Sequence, residues 1–248
     1  MMKRLKCVVL IGLCLPLFTL AQRQDSLSTK KNTFKVAPFI IPVVFLGYGA
    51  MGGGNNFVND LDLTTRAELQ EDHPLFSAHA DNYMQYAPAA AVYALNLAGV
   101  KGKHSLLDAT GIYAISFSLM KASTFAVKSA TKRLRPDGST YNSFPSGHTA
   151  TSFAAAEFLK QEYKDISPWY GYAGYTVATA TGIMRLYNNR HWVSDVVAGA
   201  GFGIISTKVA YLVYPTVKRW IAGKSSADFS LVPTYQDKAI GFSFASRF

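Results

Sequence analysis
Six apolar stretches of helical length set the limits on what this chain can fold into. They run over about 36–51, 83–99, 105–127, 147–160, 169–187 and 194–214, and nothing between them alternates as a strand does. Small residues recur at four-residue spacing inside them: Gly174, Ala178 and Gly182 in the fifth, Gly199 and Gly203 in the sixth. Small side chains one helical turn apart let two helices approach closely, as packing inside a membrane requires. The fold class expected is therefore all-α, a helical bundle with about six membrane-embedded helices. A small β-hairpin follows in the tail, where Phe229–Phe248 alternates around Gln236, Asp237 and Lys238.

Three segments between the later stretches carry the chemistry. Lys128 and Arg135-Pro136 come first, then Phe144-Pro145-Ser146-Gly147-His148, then Arg185 with His191 and Asp195. A phosphate dianion needs several fixed donors. Arg supplies a planar fork, Lys a point charge, and Lys128, Arg135 and Arg185 are the cations grouped with histidines. Ser146 and Gly147 immediately precede the run Thr149–Leu159, where a helix should begin. Serine is a favoured N-cap, the free N–H groups of a helix start attract an anion, and glycine lets backbone and ligand come close. His191 and Asp195 are four apart, on one face if helical, so the aspartate can fix the imidazole tautomer.

The order K-x6-RP, PSGH and R-x5-H-x3-D resembles the type 2 phosphatidic acid phosphatase family, which also holds bacterial acid phosphatases and vanadium haloperoxidases. The likeness covers roughly residues 83–215. One departure is visible, Met184 standing where the family usually has Ser before the third-motif Arg. The resemblance implies a bacterial lipid phosphatase with His191 as nucleophile, forming a phosphohistidine, and Asp195 orienting it. It implies His148 as the acid that protonates the leaving alcohol and then activates water. Phosphate would be held by Lys128, Arg135, Ser146, Gly147 and Arg185. No metal or other cofactor is required, because three cations neutralise the phosphoryl oxygens. The expected substrate is a lipid-linked phosphate, lipid A phosphate or undecaprenyl pyrophosphate. The alternative is a soluble periplasmic acid phosphatase of broad range.

Residues 1–21 have the layout of a secretory signal, with Lys3, Arg4 and Lys6 before the apolar run Cys7–Leu20. Both cysteines, Cys7 and Cys14, fall inside it, so a processed chain would have no thiol chemistry. Removing the segment lowers the net charge from +10 to about +7, an excess suited to anionic substrates or an anionic membrane surface. No nucleic-acid-binding pattern accompanies it. The organisation expected is a signal over 1–21, an N-terminal segment over 22–82, the phosphatase core over 83–215 and a tail over 216–248.

Charge placement predicts an orientation. Lys101, Lys103, Lys160, Lys164, Lys218, Arg219 and Lys224 lie in short segments opposite the three motifs. Basic short loops belong on the cytoplasmic side, so the site is expected on the periplasmic face of the inner membrane. A cleaved signal would leave the new N-terminus outside, so the stretch 36–51, broken by Pro38 and Pro42, is expected not to span fully. Residues 55–82 are polar and mostly acidic, with Asp62 and Asp81 among them, and read as a solvated loop rather than a cap over the site. Lys132 and Arg133 read as surface charge. His73, His79 and His104 match no motif and have no metal-ligand spacing.

Overall fold
The computed structural model describes residues 36–223, 228–236 and 239–247, so the expected signal lies outside the described residues. Helix α1 (Ala37–Ala50) starts with Pro38 in its first turn, where the missing N–H costs nothing. Helix α2 (Phe57–Asp72) is capped by Asn56, whose side chain accepts from Val58 N at 2.9 Å and Asn59 N at 3.1 Å. A short turn of helix, α3 (Asp81–Met84), leads into α4 (Ala87–Leu97). Then come α5 (Leu106–Thr131), α6 (Gly147–Tyr163), α7 (Trp169–Tyr187) and α8 (Val193–Gly223). Strands β1 (Asp228–Gln236) and β2 (Ala239–Arg247) pair antiparallel, with Gln236 opposite Ala239.

Helix α6 runs through the centre, packed by α4, α5, α7 and α8 and buried along most of its length. Glycine sets the separations. A Cβ on Gly203 would lie 2.3 Å from Ala150 O, and one on Gly199 would lie 2.6 Å from Ser146 O. Backbone atoms cannot yield to such contacts, so α6 and α8 meet at a distance only glycine permits. On the other flank of α8, a Cβ on Gly201 would meet Pro42 O at 2.7 Å, which seats α1 there. Phe158, Tyr163, Val92 and Leu159 form the apolar core between α4 and α6, and the Tyr163 hydroxyl donates to Val92 O and Val100 O.

The far end of the bundle is closed by polar contacts between its segments. His104 Nδ1 lies 2.8 Å from Glu162, and Lys218 Nζ lies 2.8 Å from Asp108. His104 is thus a structural residue, while His73 packs against Tyr187 with rings tilted by 44° at a centroid distance of 5.4 Å.

One expectation needs correction. The polar segment 55–82 is not a solvated loop: its first part is α2, and Asp62 and Asp81 are each only 1% exposed. Val58, Asp62, Thr65 and Leu69 recur at three- and four-residue spacing, a helical face masked by the polarity of its neighbours. Of the helices described, α8 alone is long and apolar enough to cross a membrane, over Val193–Ile221. Helices α1 and α4 are apolar but shorter. Asp108, Lys121 and Lys128 interrupt α5, and α6 is 17 residues long with Glu157, Lys160 and Glu162 among them.

Candidate active site
Four chain segments meet at one end of the bundle. Helix α5 delivers Lys128 in its last turn and stops at Lys132, whose φ of 45° ends the helix in the left-handed region. The Lys128 ammonium donates to Asn142 O at 2.6 Å and to Ser143 O at 3.3 Å. Arg135 sits in a tight loop, bonding Thr140 O through its N–H and accepting from Gly138 N.

Ser146 then caps α6 as expected, its hydroxyl accepting from Thr149 N. Its N–H donates to Asp195 O at 2.9 Å and so ties the second motif to the third. A Cβ on Gly147 would meet nothing closer than Lys128 Cε at 4.0 Å, so the helix N-terminus faces Lys128 across open space.

Arg185 ends α7 almost fully buried, and His191 follows in the loop before α8, 4% exposed. The charges converge. Burial and the neighbouring Arg185 guanidinium hold Arg135 below its usual range, and Lys128 and Arg185 both bear on His191. Burial pushes the His191 imidazole down to about 4, against the opposing pull of Asp195. His191 is therefore neutral at pH 7. Nε of Arg135 and Nε of Arg185 are buried without a hydrogen-bond partner, as is His191 Nδ1. The two arginine donors need a partner, and an oxyanion would supply it, while His191 Nδ1 faces Asp195.

The His191–Asp195 pair is looser than the four-residue spacing suggests. Nδ1 lies 3.6 Å from Asp195 Oδ2, within ion-pair range but too long for a hydrogen bond. Asp195 is instead bonded to Arg133 Nη1 at 2.8 Å, to Trp192 N at 3.0 Å and to the Ser143 hydroxyl. Arg133 is consequently not surface charge, whereas the adjacent Lys132 is exposed. The carboxylate that holds Arg133 from the other side, Asp62, belongs to a helix that the sequence disguised.

Residues just before α4 also reach the site. Asp81 Oδ2 lies 2.5 Å from Arg185 Nη1, and Asn82 Oδ1 lies 2.8 Å from His148 Nε2. The segment is anchored by Asn188, whose side chain bonds both N–H and C=O of Ala78. No local signal marks Asp81 or Asn82, since their partners are far along the chain. Among the described residues no group of three His, Cys, Asp or Glu is placed to hold a metal ion.

Fold and site together define a helical protein with a buried histidine set beside Lys128 and Arg185. Residues 105–219 match the model of the PAP2 superfamily. It is 43% identical over 145 residues to a lipid A 1-phosphatase of Porphyromonas gingivalis, an overlap of 58% of this chain and 33% of that protein. The chain thus spans about a third of the length of that curated relative. In fold it resembles the crystal structure of a transmembrane PAP2-type phosphatidylglycerolphosphate phosphatase from Bacillus subtilis. The TM-score is 0.50 at 19% identity, covering 75% of this chain and all of that one.

Proposed function
We propose that this protein is a metal-independent phosphatase that hydrolyses a lipid-linked phosphate through a phosphohistidine. One observation carries the reading: a buried, neutral histidine with three cations and a helix N-terminus gathered around it. The phosphoryl oxygens are taken by Lys128, Arg135 and Arg185 and by the N–H groups at Ser146 and Gly147. His191 Nε2 attacks phosphorus, and the P–O bond to the lipid alcohol breaks as His148 gives that oxygen its proton. His148 then removes a proton from water, which attacks the phosphohistidine, releasing phosphate and restoring His191. The charge that develops on the His191 ring is met by Asp195, so the 3.6 Å gap shortens as the ring becomes positive.

Several features support a membrane substrate. Val43 and Val44 on α1, Phe125 on α5 and Trp220 on α8 are more than half exposed, as lipid-facing side chains would be. An open groove of about 260 Å³ between α4 and α5 is lined by Tyr86, Tyr93, Tyr113 and Phe117 and suits an acyl or prenyl chain. In this reading α1 and α4–α8 are the six embedded helices. The basic end around Lys103 and Lys218 faces the cytoplasm, and the site lies at the periplasmic surface of the inner membrane.

The similarity to a lipid A 1-phosphatase favours lipid A phosphate over undecaprenyl pyrophosphate. A deletion strain tests this: lipid A gaining one phosphate by mass spectrometry supports it, and unchanged lipid A with raised bacitracin sensitivity moves the assignment to the prenyl diphosphate. The purified protein tests the chemistry. His191→Ala should lower turnover by several orders of magnitude, and acid quench of wild type with labelled substrate should trap phosphohistidine. Activity within about tenfold of wild type would refute the covalent route.

Among the described residues α8 alone is long and apolar enough to cross a membrane, and the alternative reading is a soluble periplasmic acid phosphatase of broad range. Release by detergent-free extraction would establish it.

A further inference from the structure
Arg133 has no part in phosphate binding as described above, yet it is among the most heavily bonded side chains at this end of the molecule. Its Nη1 donates to Asp195 Oδ1 at 2.8 Å and to Ser194 Oγ at 2.7 Å. Its Nη2 donates to Asp62 Oδ2 at 2.8 Å and to Gly52 O at 2.7 Å. Asp62 in turn accepts from Ser194 N at 2.9 Å and from Ser194 Oγ at 2.5 Å.

The guanidinium lies 5.4 Å from the centre of the Trp192 ring, whose Nε1 donates to Leu134 O. Backbone from the α1–α2 connection closes the network. A Cβ on Gly52 would fall 2.2 Å from Ser194 Oγ and 2.8 Å from Arg133 Nη1, so the chain passes here only as glycine.

The consequence falls on Asp195. One carboxylate oxygen is committed to Arg133, and the other is left for Ser143, Trp192 N and His191. A carboxylate fixed at one oxygen by a planar fork cannot rotate, so the other oxygen holds its place beside the imidazole. The Arg133 charge also offsets part of the pull that Asp195 exerts on His191.

We propose that Arg133, braced by Asp62, is a positioning residue for phosphoryl transfer, acting on His191 through Asp195 without touching substrate. The proposal rests on His191 being the nucleophile. The brace comes from residues 52 and 62, outside the stretch that matches the superfamily model, so a segment before that stretch helps build the site.

The test is the pH dependence of kcat/KM for full-length protein in detergent, with a short-chain phosphatidic acid as substrate. The groups facing His191 are Asp195 from α8, Lys128 from α5, Arg185 from α7, and Asp62 and Arg66 of α2 across a shared cleft. All but the substituted residue stay constant in each comparison.

Arg133→Gln should lower kcat at least about tenfold while KM and the vanadate inhibition constant change less than about threefold. It should also move the acid limb upward by about one pH unit, because a cation that opposed His191 protonation is gone. Asp62→Asn, nearly isosteric and so the variant expected to fold, should lower kcat as well. It should leave the limb in place or move it down, since it removes an anion. Arg133→Lys should return the limb towards wild type but not the full rate, because an ammonium cannot bridge both carboxylates with a planar fork.

Limbs that coincide in all three variants, or losses that track only thermal stability, would overturn the proposal. Trapped phosphohistidine in wild type with unmoved limbs defeats the positioning role alone, whereas an active His191→Ala defeats the reading of the site and this proposal with it.

Discussion
Asp81→Asn should tighten inhibition by vanadate, because the Asp81 carboxylate occupies a guanidinium that a phosphoryl group needs. The pair is buried, with side chains 1% and 9% exposed, and Arg185 Nη1 lies 2.5 Å from Oδ2. An arriving phosphate must displace this bond or accept an anion beside it. A hydrogen bond to a charged group is worth about 1.5–3 kcal/mol, the doubly charged pair lying at the upper end and a bond from the Arg185 guanidinium to a neutral amide at the lower end. The asparagine keeps the shape and an acceptor oxygen, so the change removes about 1–2 kcal/mol of competition. At about 1.4 kcal/mol per factor of ten, that is a drop of about 5- to 30-fold in the vanadate inhibition constant. Vanadate suits the assay because it adopts the five-coordinate geometry of the transferring phosphoryl group. The inhibition constant should be measured in detergent for wild type, Asp81→Asn and Asp81→Ala, with kcat followed in parallel. An unchanged or weaker constant in both variants would refute the reasoning and show that Asp81 holds Arg185 in place for substrate instead of competing with it.

The pH behaviour follows from His191. Its pKa falls from 6.5 to about 4 on burial, so the acid limb of kcat/KM, corrected for substrate ionisation, should lie near pH 4; a limb near 6.5 would contradict the burial argument. The same shift makes the unfolded chain bind more protons between those values, so stability should fall as pH drops from about 6.5 towards 4, as denaturant titrations can measure. Gly203→Ala should destabilise the protein by about 1–3 kcal/mol or more, since the new Cβ would meet Ala150 O at 2.3 Å; unfolding in detergent would read this, and a neutral result would mean that α6 and α8 separate freely. Turnover should survive EDTA, and abolition restored by magnesium would contradict the metal-independent route.

What the sequence determined by itself is what short-range physics determines. Ser146 before an apolar run marks the start of α6, because a cap acts on N–H groups two or three residues on. Gly199 and Gly203 announce a close helix approach, because one turn separates them and nothing else fits. Hydropathy marked the helices with apolar faces and passed over α2, where Asp, Glu and Thr surround a narrow buried stripe. Only the tertiary structure decided between Lys132 and Arg133, adjacent and alike in composition, one exposed and the other locked between two carboxylates. It also decided that Asp62 and Asp81 are buried, and that Asp195 is shared between Arg133 and His191. The reason is sequence distance. Asp62 meets Arg133 across 71 residues and Asp81 meets Arg185 across 104, and no periodicity or cap carries information over such a span. A buried charge is stable only where its partner arrives, and where that happens is set by how the helices pack.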